Sequence, residues 1–309
     1  MNLYFAPLEG ITTYIYRNTH FEMFEGCDAY YSPFINPCDQ ERISRKGIKD
    51  IFPERNEKIN LKVQVLTNCS ETFIKFEDKL YELGYNEVNL NFGCPASTVV
   101  KKGRGSGFLR TPDAIDKFLY EIFSNTDIKT SVKTRIGYSS EDEMENLMDI
   151  YNKYPISNII IHPRTRMDLY NGEPRLNVFE KAYNNSKSSV CYNGNVYSKE
   201  DYKNITERFP LIEGVMLGRG AIKNPALFRE IKGGKPIETR ELIEFTNRLK
   251  NNYYEALQSE NFTLCKLKEI WVYMLQNFPD EVKIAKAVKK SKNLFEFMNA
   301  INNLPELKK

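Results

Sequence analysis

Cys94 stands between Gly93 and Pro95, just past an apolar run, Glu87–Asn91, that reads as a strand. These neighbours fix the backbone and leave the thiol at the strand end. A free thiol titrates near ~8.5, so at neutral pH it is mostly protonated and suited to general acid work. The ordinary alternative is a small, inert apolar side chain. The stretch Lys101-Lys102-Gly103-Arg104-Gly105-Ser106-Gly107 follows. It is expected to form a flexible basic lid on the same side as Cys94, suited to a phosphodiester. Its glycines alternate and follow no strand, so it is neither a GxGxxG fingerprint nor a P-loop.

Lys133 falls inside a second apolar run, Thr130–Thr134, with Arg135 just beyond it. A buried ammonium costs free energy unless it meets a partner. The partner is either a carboxylate within the fold or an anionic ligand edge, such as the N1–C2 edge of a reduced flavin. His162 closes the run Ile159-Ile160-Ile161 and is followed by Arg164 and Arg166, so a polyanion-facing site stands at least level with a satisfied core histidine. Gly194, and Gly218-Arg219-Gly220, offer bare amides and a guanidinium that can grip phosphate by two hydrogen bonds; the alternative is that these glycines only turn the chain.

These groups need a scaffold that brings strand ends together. Eight apolar, β-branched runs read as strands: Leu3–Pro7, Ala29–Phe34, Leu61–Leu66, Glu87–Asn91, Thr130–Thr134, Asn158–His162, Ser189–Tyr192 and Gly214–Leu217. Between them Phe73, Phe76, Leu80 and Leu83 recur at helical spacing, as do Met144, Leu147, Met148, Tyr151 and Tyr154. Eight strands alternating with helices fit a (β/α)8 TIM barrel, whose active site lies at the strand C-terminal ends. Polar residues stand at seven of those eight ends. The connection Asn36–Asn60 is weak as a helix.

A turn-rich break, Lys232-Gly233-Gly234-Lys235-Pro236, separates the barrel (1–234) from a small all-helical C-terminal domain (235–309). There, Leu242, Phe245, Leu249 and Ala256 form one apolar face, and Leu264, Leu267, Trp271, Met274 and Phe278 a second. Two further helices are expected over Glu281–Ser291 and Leu294–Ile301. Lys283, Lys286, Lys289 and Lys290 share one face of the third, which serves either a phosphate backbone or plain solvation.

Composition excludes several classes. The 309 residues are 41% hydrophobic, which excludes a disordered chain. No apolar run approaches the ~18–20 residues that span a bilayer, and the first residues, MNLYFAPLEG, lack a basic leader segment. Cys27, Cys38, Cys69, Cys94, Cys191 and Cys265 show no CxxC spacing, and with two His a structural zinc site is excluded. A cytoplasmic, metal-free monomer with reduced thiols is expected. Residues 1–234 hold 31 basic and 31 acidic residues, whereas 235–309 hold 13 and 10, so the +3 excess lies in the tail and permits a nucleic-acid partner.

Taken in order, APLEG, NFGCP with its basic glycine-rich loop, VKTRIG, HPRTR with Tyr170, NGN and LGRG resemble the tRNA-dihydrouridine synthases, over Ala6 to about Phe228. The resemblance implies FMN-dependent reduction of the uracil C5–C6 double bond in tRNA, with NADPH or NADH as reductant, and an RNA-binding helical tail. It implies that Pro7, Leu8 and Glu9 contact the flavin ring, with Gln64 and Lys133 on its polar edge, and that His162 also faces the flavin. Leu8 stands where the family usually has Met, an apolar replacement of similar size. Asn193, Gly194, Asn195, Gly218 and Arg219 would hold the phosphate, and Cys94 would be the proton donor. Asn91, Arg164, Arg166, Lys101, Lys102, Lys286 and Lys289 would meet the RNA substrate. Two other readings stay open: a dihydroorotate dehydrogenase-like flavin barrel acting on a free pyrimidine, and a non-catalytic RNA-binding protein.

Overall fold

The computed structural model describes residues 1–37 and 45–307; Cys38 and part of the 36–60 connection lie outside them. Eight parallel strands close into a barrel in sequence order. They are β1 (Asn2–Phe5), β2 (Ala29–Tyr31), β3 (Leu61–Val65), β4 (Glu87–Phe92), β5 (Lys129–Gly137), β6 (Asn158–Thr165), β7 (Ser189–Tyr192) and β8 (Gly214–Leu217). All eight expected runs are strands, with corrected ends. The first two stop early, leaving Ala6–Gly10 as loop, and β5 and β6 run on to include Arg135 and Arg164.

Helices α1 (Tyr14–Met23), α2 (Arg45–Asp50), α3 (Ser70–Glu82), α4 (Ser97–Val100) and α5 (Pro112–Asn125) surround the first half. Helices α6 (Glu143–Tyr151), α7 (Leu176–Asn185), α8 (Lys199–Arg208), α9 (Arg219–Lys223) and α10 (Leu227–Ile231) surround the second. Strand alternation sends Val63, Leu90, Val132, Ile161 and Val215 outward into the buried layer beneath these helices. Inside, the barrel is divided. Tyr4, Ala29, Tyr31, Ile160, Cys191 and Met216 form a separate apolar cluster, while Gln64, Asn89 and Ser131 fill the β3–β5 side.

The tail forms four helices, α11 (Thr239–Leu257), α12 (Glu260–Met274), α13 (Val282–Lys290) and α14 (Leu294–Asn302). Its apolar residues join the same buried cluster as the barrel's outer layer. Phe245 meets Tyr16 and Phe24 edge-on, with ring centroids 5.5 and 5.2 Å apart. Asn252 donates to the Thr19 hydroxyl at 2.9 Å, and Lys266 to the Gly10 carbonyl at 3.0 Å. Ala256 corrects the expected face of α11: it is exposed, and Tyr253, two turns past Phe245, is buried instead. No helix among the described residues is long and apolar enough to cross a membrane.

Because barrel and tail share one apolar layer, they should unfold together. Phe245→Ala should cost about 3–5 kcal/mol. Near- and far-ultraviolet circular dichroism should still report one coincident transition. Two separate transitions would show independent units.

Candidate active site

A cavity of about 640 Å³ opens at the C-terminal ends of the strands. Every strand except β2 contributes a residue from its C-terminal half or the loop after it, and β2 adds Pro33 and Phe34 from the segment beyond. The sequence-predicted residues Pro7, Leu8, Glu9, Gln64, Asn91, Cys94, Lys133, His162, Arg166, Asn193, Gly194, Gly218 and Arg219 all line it.

The Cys94 loop is held from below. Asn91 Oδ1 accepts the backbone N–H groups of Gly93 and Cys94 at 3.1 and 2.8 Å, and Asn91 Nδ2 donates to Gln64 Oε1 at 2.7 Å. From the other side Ser106 donates both its N–H and its hydroxyl to the Cys94 carbonyl, at 3.0 and 2.8 Å. Gly105 has φ +56°, and a Cβ there would lie 2.8 Å from that same carbonyl, so glycine is required. Burial pushes the Cys94 thiol up, against the opposing pull of Arg135 and Lys133, so it is protonated at neutral pH.

The wall opposite carries positive charge. Lys133 is half-buried and makes no hydrogen bond or ion pair among the described residues, so no carboxylate among them is its internal partner. Burial, then repulsion from Arg135, lowers it to about 8. Arg135 is buried and ties three segments together, donating to the carbonyls of Gly93, Thr165 and Leu169 at 2.9, 2.8 and 2.7 Å. That grip secures Leu169, whose φ of +53° is unusual for a branched side chain.

Burial, then Arg135, Lys133, Arg164 and Arg219, holds His162 well below the ordinary histidine range, so the ring is neutral. Its Nε2 lies 3.0 Å from Arg164 Nη1. A guanidinium can only donate, so Nε2 accepts and the ring proton sits on Nδ1. Among the described residues, four cationic side chains (Lys133, Arg135, Arg166, Arg219) line the cavity against one carboxylate, Glu9. Such a balance favours an anionic occupant.

At the β7–β8 side, a Cβ on Gly194 would lie 2.0 Å from the Tyr192 hydroxyl, so only glycine fits there. Asp201, at the start of α8, accepts the Tyr197 and Ser198 N–H groups at 2.8 and 2.9 Å and fixes the turn. The Arg219 guanidinium lies 4.8 Å above the Tyr170 ring and 5.9 Å from that of Tyr197.

Several expected residues stand elsewhere. Arg164 is buried and does not line the cavity; besides His162 it grips the Asn171 and Gly172 carbonyls. Asn195 stands behind the wall, accepting from Arg219 at 3.2 Å and donating to Glu173 at 3.3 Å. The expected flexible lid is a packed turn: Gly105, Ser106 and Gly107 are buried. Lys101 and Lys102 are exposed and do not line the cavity, and neither do Lys286 and Lys289, exposed on α13. The roles of Arg135, Tyr170, Tyr197 and Tyr273 were not assigned from sequence. Two-residue spacing from Lys133 marks Arg135 as inward-facing; no pattern marks Tyr273, which reaches the cavity from α12. Among the described residues no cluster of His, Cys, Asp or Glu could hold a metal ion.

Fold and site together define a (β/α)8-barrel enzyme with a cationic mouth. Similar barrels occur in the old yellow enzyme from Trypanosoma cruzi (TM-score 0.54, 7% identity, covering 76% of this chain and 89% of that one). Morphinone reductase in complex with tetrahydroNAD is a second (TM-score 0.52, 11% identity, 76% and 88% covered). At such identity the likeness is one of fold. Residues 4–306 match the family model for dihydrouridine synthase (Dus), and the chain belongs to that family. It is 27% identical over 258 residues to a probable tRNA-dihydrouridine synthase of Staphylococcus aureus strain COL, covering 80% of this chain and 77% of the relative. It is 24% identical over 247 residues to probable tRNA-dihydrouridine synthase 2 of Bacillus subtilis strain 168 (77% and 74% covered).

Lys133 makes a pH prediction. With its folded value near 8 and its ordinary value at 10.5, the unfolded chain binds more protons between those limits. This residue's contribution to the stability of the ligand-free protein should therefore rise with pH across that window. Denaturant titrations at pH 7.5 and 9.5 should show a more favourable pH change in the wild type than in Lys133→Met. An identical change in both would show that the ammonium carries no burial cost.

Proposed function

We propose that this enzyme reduces the C5–C6 double bond of uridines in tRNA, with FMN as cofactor and NADPH or NADH as reductant. The observation that carries this reading is Lys133, a partly buried ammonium with no partner among the described residues, in a cavity whose wall also holds a protonated thiol. A flavin fits the residues present. The cationic wall suits its phosphate and its anionic ring edge, and Gly194 and Gly218 leave backbone exposed at the cavity.

In this reading Pro7, Leu8 and Glu9 flank the ring, Gln64, Lys133 and His162 face its polar edge, and Asn193, Gly194, Gly218 and Arg219 hold the phosphate. Asn195 keeps Arg219 in place. When bound, the flavin supplies a hydride equivalent for uracil C6. The Cys94 thiol donates a proton to C5, and Lys133 and Arg135 favour the thiolate that remains until solvent reprotonates it. Asn91 positions that thiol through its backbone. Arg166, Lys101 and Lys102 lie toward the RNA, and residues 235–309 act as an RNA-binding unit. Lys283, Lys286, Lys289 and Lys290 are exposed on α13 and make no ion pair among the described residues, as a phosphate-binding face requires. A base paired or stacked in folded RNA must be turned out to enter the cavity.

Cys94→Ala should retain FMN, its reduction by NADPH and tRNA affinity, yet lose uridine reduction by roughly 10²–10⁴-fold. The measurement is single-turnover oxidation of prereduced enzyme by tRNA at matched flavin content. Reoxidation at the wild-type rate would assign Cys94 to packing alone. Separately, Lys286→Glu with Lys289→Glu should weaken tRNA binding and flatten its salt dependence, while NADPH oxidation stays unchanged. Equal affinity across several salt concentrations would assign that face to solvation.

A further inference from the structure

Below the cavity floor a row of side-chain amides crosses the barrel. Asn91 Nδ2 donates to Gln64 Oε1, and Gln64 Nε2 donates to Asn89 Oδ1, both at 2.7 Å. Asn89 Nδ2 donates to Ser131 Oγ at 2.9 Å, and that hydroxyl donates to the Val88 carbonyl at 3.2 Å. Gln64, Asn89 and Ser131 are all but fully buried.

An amide can be turned by half a rotation, exchanging donor for acceptor, and nothing in an isolated Gln–Asn pair chooses between the two directions. Here both ends of the row choose. At the upper end Asn91 must present its oxygen, because the groups facing it are the N–H donors of Gly93 and Cys94. Its nitrogen is then committed to Gln64, which must offer Oε1. At the lower end the Val88 carbonyl can only accept, so Ser131 donates there and receives from Asn89, whose oxygen is left for Gln64. The two constraints agree on one direction for the Gln64 amide. One Gln64 Nε2 proton is used on Asn89, the second has no partner among the described residues, and Gln64 lines the cavity.

We infer that Asn89, which does not line the cavity, is a positioning residue: through the amide row it fixes Gln64 as an N–H donor toward a bound flavin. The inference rests on the flavin reading above. It assigns Asn89 no contact with cofactor or substrate, only control of which atom Gln64 shows to the cavity. The same row carries the Cys94 backbone at its upper end, so one set of hydrogen bonds aligns the cofactor edge and the proton donor.

The test is a double-mutant cycle on FMN affinity, read by quenching of flavin fluorescence on binding to the apoprotein. Gln64→Leu should weaken FMN by roughly ten- to a hundredfold, the usual effect of losing a buried donor. Asn89→Leu should produce a similar loss and a shifted flavin absorption band, but no further loss in the Gln64→Leu background. Asn89→Asp, which keeps an acceptor toward Gln64 and takes the Ser131 proton, should recover most of the affinity. Unchanged affinity in Gln64→Leu would refute the role of Gln64 in the flavin reading. A clear loss there, with Asn89→Leu silent or fully additive, would refute the positioning role alone.

A second measurement needs no substitution. In apoprotein NMR, one Gln64 side-chain amide proton should be protected from exchange and the other should become protected on adding FMN. Two protected protons before FMN, or no change after it, would overturn the inference.

Discussion

A closed parallel barrel has no solvent inside, so every polar atom that its strands turn inward must be matched within the chain or by what the barrel binds. On the β3–β5 side the chain matches its own groups: the amides of Asn91, Gln64 and Asn89 and the Ser131 hydroxyl satisfy one another down to the Val88 carbonyl. His162 is matched by Arg164, and Arg135 by three carbonyls. Lys133 has no match among the described residues. At the cavity, therefore, the internal accounting of polar groups is left open, and it is left open with positive charge.

The helical tail belongs to that arrangement as much as the strands do. Helix α12 holds the Gly10 carbonyl through Lys266 and sends Tyr273 into the cavity, while α11 packs Phe245 against Tyr16 and Phe24. The turn after β1, which carries Pro7, Leu8 and Glu9, is therefore braced from outside the barrel. A boundary near residue 234 is visible as a change of pattern, but the apolar layer crosses it without a break.

Much of this was legible in the sequence because burial on both faces makes parallel strands read as unbroken apolar runs. Cys94, Lys133, His162 and Gly194 were legible because a thiol, a charge, an imidazole or a missing side chain at such a strand end has few reasons to be there. Side-chain direction was not. Strand parity puts Arg164 on the same side as His162, yet its long side chain folds back onto that ring and the Asn171 carbonyl. The glycines of 103–107 read as flexibility, whereas Gly105 and Gly107 permit close packing, with a Cβ at either falling 2.7–2.8 Å from a backbone oxygen. One composition serves both purposes, and only the neighbouring chain decides. Ala256 failed for a related reason: alanine suits an apolar face or a solvated one equally well.

The burial that keeps the proton on Cys94 also bears on chemical durability. Oxidants and alkylating agents attack the thiolate, so a thiol whose ionisation is suppressed reacts slowly with them. Cys69 and Cys265, by contrast, are exposed to solvent. Adventitious oxidation of this protein would therefore be spent first on Cys69 and Cys265, neither of which lines the cavity, and Cys94 would outlast them.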